Sequence, residues 1–122
     1  MTANRLMLLL TIALVLFVPA FAADVAGKWT AAIDTQIGVQ NYTYEFKVDA
    51  GKLTGRAKSQ MGDIEITEGS VKGDEIAFVE NASFEGQSLR IEYKGKISGD
   101  EIKFQRKVAD FATEDFVAKR AK

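Results

Sequence analysis

From Gly27 onward the chain alternates apolar and polar residues with a period of two. In NYTYEFKVD, Tyr42, Tyr44, Phe46 and Val48 alternate with Thr43, Glu45 and Lys47, as a strand with one buried and one wetted face requires. SLRIEYKGKI repeats the pattern with Leu89, Ile91, Tyr93 and Ile97, and EIKFQRKV repeats it with Ile102, Phe104 and Val108. The alternation predicts eight strands, over about 27–35, 41–49, 52–59, 63–72, 75–81, 88–98, 101–109 and 113–121. The last segment, ATEDFVAKR, also admits a short helical tail, although Phe116, Ala118 and Arg120 share a strand face. No proline follows Pro19, so nothing in this region forbids central strands. Short connections favour a sequential antiparallel meander. The expected fold is all-β, a single antiparallel up-and-down barrel of about eight strands.

One strand needs an irregularity. Ile64 and Ile66 share one parity and Val71 has the other, which calls for a β-bulge near Thr67-Glu68-Gly69. Two further stretches, VKGDEIAF and ISGDEIKF, read as hairpins. A two-residue turn at Gly73-Asp74 sets Val71 against Ile76 and Gly69 against Phe78, and one at Gly99-Asp100 sets Ile97 against Ile102 and Gly95 against Phe104. A third copy at Ala50-Gly51 sets Val48 against Leu53 and Phe46 against Gly55. Each puts an aromatic ring over bare glycine backbone, although three- or four-residue turns fit the same residues. The acids at these turns point largely apart, so solvated tips are expected there and no metal site.

The three tight turns fall at one end of the barrel. The other end receives DTQIGVQ, SQMGD, NASFEGQS and ADFAT, read as longer connections that carry Ile37, Val39, Met61, Phe84 and Phe111. Apolar residues on that rim either plug the core or meet a ligand or protein partner. Inward parity brings Tyr42, Ala57, Ser59, Glu80 and Arg106 further toward the same end, with Tyr93 facing Arg106, and Glu80 and Arg106 either form a buried pair or contact water near the mouth. Tyr42, Tyr44, Met61, Glu80, Phe84 and Arg106 are therefore the candidate ligand-mouth residues. The interior is either a cavity for a small, partly apolar molecule or is filled by its own side chains.

Composition narrows the chemistry. There is no histidine and no cysteine, which removes Ser-His-Asp, Cys-His and zinc-histidine sites as well as disulfides. Carboxylates remain, but no pair of them is placed by the strand pattern for acid–base work. A non-catalytic protein without cofactor or catalytic residues is expected. The 16 Lys and Arg nearly balance the 17 Asp and Glu, with no basic block of the kind nucleic acids or anionic membranes select.

The start of the chain reads as an export signal. Arg5 precedes an apolar run from Leu6 to Val18, then Pro19 and the small-residue pattern Ala20-Phe21-Ala22. The run is short for a membrane span, so residues 1–22 are expected to be cleaved and residues 23–122 to form one domain. Export to a periplasm or to the medium follows, with no integral membrane segment afterwards. If the host glycosylates exported proteins, Asn41-Tyr42-Thr43 and Asn81-Ala82-Ser83 are acceptor sequons.

Gly27-Lys28-Trp29 resembles the Gly-x-Trp that opens the first strand of calycins, the lipocalins and avidin-like proteins among them, and with Thr30 it looks most like an avidin-like opening. The resemblance implies a closed end sealed by Trp29 and covered by a basic side chain from the last strand, for which Arg120 is the matching residue. It also implies a small-molecule binder. The chain lacks length for the outer helix of a lipocalin, and the biotin-binding aromatics of avidins have no counterpart. The expected function is an exported binding protein for a small apolar or amphipathic ligand at the looped end. The alternative is a solid barrel that serves as a structural or protein-interaction module through its rim.

Overall fold

The computed structural model describes residues 24–121, without the Phe84 side chain. The signal segment expected over 1–22 lies outside the described residues. Eight strands follow one another: β1 (Gly27–Thr35), β2 (Gly38–Asp49), β3 (Lys52–Ser59), β4 (Gly62–Lys72), β5 (Glu75–Phe84), β6 (Gln87–Ser98), β7 (Glu101–Val108) and β8 (Ala112–Arg120). Each pairs with the next, and β8 returns to β1 to close the barrel. ATEDFVAKR is a strand, because Phe116 and Ala118 are buried beside β7 while Asp115, Val117 and Lys119 face out. The described residues contain no helix long and apolar enough to cross a membrane.

The hairpin registers follow from the turn chemistry. Gly73 (φ 59°) and Gly99 (φ 61°) each take the positive φ that opens a type II′ turn, giving Lys72 opposite Glu75 and Ser98 opposite Glu101. Ala50 and Gly51 are both positive (φ 50° and 80°), the signature of type I′. Two of the three ring-over-glycine pairs form as expected, Phe46 with Gly55 and Phe104 with Gly95. The third does not. The bulge falls between Thr67 and Ser70, with Glu68 at φ 52°, and it carries Gly69 out of register with Phe78 and against Leu53.

The far end differs from expectation in one respect. The connections read as long are short, because β2 and β5 continue further into them than their polar composition implies. Gln36-Ile37, Gln60-Met61 and Glu85-Gly86 are two-residue turns, and only 109–111 is longer. In NASFEGQS, Asn81–Phe84 stays paired to Gln87–Arg90, so extended backbone wins over turn-prone Asn and Ser.

The core is aromatic and sits toward the tight-turn end. Tyr44 stacks on Tyr42 and Phe46 at 5.6 and 5.7 Å, and Tyr93 stacks on Phe78 at 4.3 Å. Phe104 meets Phe78 and Phe116 meets Tyr93 edge-on, and Phe104 and Phe116 stack on each other. Offset and edge-on rings fill space well and each pair adds roughly 0.5–1.5 kcal/mol beyond burial. The lower half of the barrel is therefore solid.

Candidate functional site

The upper half is not solid. The ladder between β4 and β5 ends at Ile66–Glu80, so Gly62–Glu65 pairs with β3 alone and Asn81–Phe84 with β6 alone. The two strands part toward the looped end. A cavity of about 650 Å³ lies there, bordered by Asp63, Ile64, Glu65 and Thr67 on the β4 lip and by Asn81, Ala82 and Ser83 on the β5 lip. Its inner wall carries Gln40, Tyr42, Leu89, Ile91, Arg106, Val108 and Glu114, and Ile37 and Met61 stand at its mouth. This is the size range of small-molecule sites, with a mainly apolar wall and a few convergent polar groups.

Those polar groups are ordered by the strand register. Arg106, only 4% exposed, sits opposite Tyr93 on one side and Glu114 on the other. Its Nε donates to Glu114 Oε1 at 2.5 Å and its Nη1 donates to the Tyr93 hydroxyl at 3.0 Å. Its guanidinium also lies 5.1 Å from the centre of the Tyr42 ring. Burial works against the charge of Arg106, but Tyr93, Tyr42 and Glu114 outweigh it and raise the pKa above its ordinary value. The Tyr93 hydroxyl continues to that of Tyr44 at 3.1 Å. Burial raises the pKa of both phenols well above their usual range, so both stay neutral.

Two acceptors have no partner among the described residues. One is Oε1 of Gln40, a residue that borders the cavity but whose oxygen is itself buried, and the other is the Glu80 carboxyl group, neither of whose oxygens accepts a hydrogen bond. Glu80 is fully buried and paired in register with Ile66 and Ile91, just below the cavity. Burial raises its pKa, and Tyr93 and Arg106 pull the other way without matching it.

The tight-turn end is closed. Trp29 is fully buried and its Nε1 donates to the Val25 carbonyl at 2.9 Å. The Arg120 guanidinium covers the ring at 4.4 Å, while its nitrogens donate to Asp100 Oδ1 and to the carbonyls of Asp24 and Ala26. A closed eight-strand meander with this seal decides the architecture. The chain is a closed, eight-stranded, up-and-down antiparallel barrel.

No protein-family model and no curated protein matches the chain. Among solved structures, a crystal structure of a mutant of the fluorescent protein UnaG is similar over 80% of this chain and 96% of that one, with 12% identity and a TM-score of 0.49.

Of the residues singled out in the sequence, Tyr42, Met61 and Arg106 border the cavity, Met61 being 55% exposed. Tyr44 and Glu80 are fully buried beneath it, and Phe84 ends β5 with its side chain outside the described residues. Of the two alternatives for Glu80 and Arg106, the buried pair does not form: Arg106 takes Glu114, its direct cross-strand neighbour on β8. Glu114 was missed although it shares parity with Phe116, because a helical tail remained open for that segment. Asp100 also has a use, as a partner of Arg120, which a reading of it as a solvated tip does not contain.

A further concavity of about 900 Å³ lies between Lys72, Lys94, Lys96 and Lys103 on the outside of the barrel, above the bare backbone of Gly95. Neither unpartnered acceptor borders it. The looped-end cavity is the better candidate.

Proposed function

We propose that the chain is an exported, non-catalytic binding protein that holds a small, partly apolar ligand in the looped-end cavity. The observation that carries this reading is the cavity itself, about 650 Å³ behind the parted ends of β4 and β5. Ile64, Leu89, Ile91 and Val108 supply apolar contact, and the parted strands supply an entrance that needs no broken ladder hydrogen bonds. In this reading Tyr42, Met61 and Arg106, which border the cavity, contact the ligand. Tyr44, Glu80 and Tyr93 act from below by fixing the floor. Arg106, the basic residue of the wall, is engaged by Glu114 and Tyr93 rather than by a reacting centre, which favours binding over catalysis.

Native mass spectrometry of protein taken from its own compartment without denaturation should retain a small-molecule adduct. In parallel, the neutral dye Nile red should bind with one-to-one stoichiometry, and Ala82→Trp, which fills the cavity from the β5 lip, should abolish its uptake while leaving the fold intact. No adduct together with dye uptake indifferent to Ala82→Trp would overturn the reading.

A second reading rests on the rim. Ile37, Val39 and Phe111 are 66%, 56% and 72% exposed, an apolar set suited to a protein partner. Substituting Val39 and Phe111, which do not border the cavity, with serine should leave dye uptake unchanged if the cavity alone is the working site.

A further inference from the structure

The charges of the cavity are balanced within its own wall, and this sharpens the class of ligand it takes. Four charged residues border it: Asp63, Glu65, Arg106 and Glu114. Asp63 and Glu65 alternate with Ile64 and Ile66 and are exposed on the outer face of β4. Arg106 and Glu114 face the interior, with side chains 5% and 11% exposed, and they take each other at 2.5 Å. The guanidinium is further held by the Tyr93 hydroxyl at 3.0 Å and lies 5.1 and 5.8 Å from the centres of the Tyr42 and Tyr93 rings. The basic residues of the surrounding strands, Arg56, Lys58, Arg90 and Lys107, are exposed and do not border the cavity. Glu80 lies below with no exposed surface, and burial favours its neutral form. The remaining polar groups of the wall and lips, the Gln40 amide, Ser59, Thr67, Asn81 and Ser83 among them, are uncharged hydroxyls and amides.

We infer that the ligand is an uncharged amphiphile, an apolar body with a hydroxyl, carbonyl or amide head, and that the cavity turns away the carboxylate and the ammonium ion of the same body. This rests on the proposal that the cavity binds a small ligand. A charged head gives up its hydration on entry and meets no unmatched counter-charge. A carboxylate reaches the Arg106 charge only by displacing Glu114, which is then left buried and unpaired. An ammonium ion reaches Glu114 only by stranding Arg106 in the same way. A neutral head gives up less hydration and exchanges it for the hydroxyls and amides of the wall without breaking the pair. Both ions are therefore disfavoured by the same two side chains.

Dodecanol, dodecanoate and dodecylamine share one chain and differ in the head, and each is titrated against bound Nile red at neutral pH below its aggregation concentration. Dodecanol should displace the dye best, by about tenfold over either ion. Either ion equal to or better than dodecanol overturns the inference and leaves the binding cavity standing. Failure of Nile red and all three probes to bind overturns both. An apolar wall by itself also prefers a neutral head, so two charge switches test whether the ion pair does the selecting. Glu114→Gln frees the Arg106 charge and should raise the affinity for dodecanoate relative to dodecanol by about tenfold. Arg106→Gln frees Glu114 and should do the same for dodecylamine. Ratios that stay at their wild-type values in variants that melt cooperatively show that the pair does not select the head, and overturn its assignment. Where a variant does not fold, the wild-type order of the three heads decides the inference by itself.

Discussion

The Arg120 guanidinium lies 4.4 Å from the centre of the Trp29 ring and, from that position, holds the Asp24 and Ala26 carbonyls and the Asp100 carboxylate together. One side chain thus ties the entry of β1, the β6–β7 turn and the end of β8. The register pairs that close β8 on β1 are Trp29–Arg120 and Thr30–Lys119, so this seam is short. Arg120→Ala should lower the unfolding free energy by about 1–3 kcal/mol in urea titration. Because Trp29 is the sole tryptophan, its emission should also shift to the red as water reaches the ring. Arg120→Lys should keep part of the cation–π contact and recover part of the loss. An Ala variant with unchanged stability and emission would show the seal to be idle.

Gly55 and Gly99 separate two reasons for a glycine. At Gly55 (φ +151°) an added Cβ falls 1.9 Å from the Glu45 carbonyl oxygen, while at Gly99 (φ +61°) it meets nothing within 4 Å. Gly99→Ala pays only for left-handed backbone, about 1–2 kcal/mol. Gly55→Ala must in addition push β3 away from β2, for a total of roughly 3 kcal/mol or more. Thermal melts of the two variants should rank in that order, and equal losses would mean that the strands part there at little cost.

The barrel was largely legible because its information is local. Tyr42, Tyr44, Phe46 and Val48 declare a strand face by themselves, and the change of parity between Ile66 and Val71 required the bulge that Glu68 forms at φ 52°. The Trp29 seal was readable from Gly27-Lys28-Trp29 and a basic residue near the end of β8. The site was less legible. The parting of β4 from β5 above Ile66–Glu80 is a relation between two strands that neither sequence contains, and it decides where the cavity is. Glu114 was hidden within an acidic run whose secondary structure was ambiguous, so Glu80 was the carboxylate weighed for Arg106. The closing role of Val25, fully buried before the first strand, depends on a carbonyl that no side-chain pattern reports.

Glu80 makes stability depend on pH in a stated direction. Its folded-state pKa is raised by burial above the ordinary value of 4.5, so the folded protein binds its proton more tightly than the unfolded chain. The contribution is favourable below the unfolded pKa and is lost as pH rises through the folded one. Glu80→Gln keeps the shape and cannot ionise. Relative to wild type it should gain stability at neutral pH and lose that advantage as the pH is brought below about 4. Paired urea titrations across that range check it, and a variant less stable at neutral pH than at acid, relative to wild type, would show that the carboxylate has a donor when charged.

Arg106 and Glu114 give the most direct test of the cavity's polar frame. Both side chains are largely buried, 5% and 11% exposed, so removing one leaves the other charged and short of a partner. Arg106→Leu alone should cost about 3–5 kcal/mol, since the largely buried Glu114 then loses its cationic partner. Glu114→Leu alone should cost somewhat less, because the Arg106 face still lies 5.1 Å from the Tyr42 ring and its Nη1 still reaches Tyr93. The double variant removes both desolvated charges and should recover most of the loss, giving a coupling energy of roughly 2 kcal/mol or more in a double-mutant cycle. Nile red should still enter the double variant, since the walls of Ile64, Leu89, Ile91 and Val108 are intact. Additive losses in the cycle would mean that Arg106 and Glu114 are solvated independently in solution, and the cavity would then be a wetter place than its register implies.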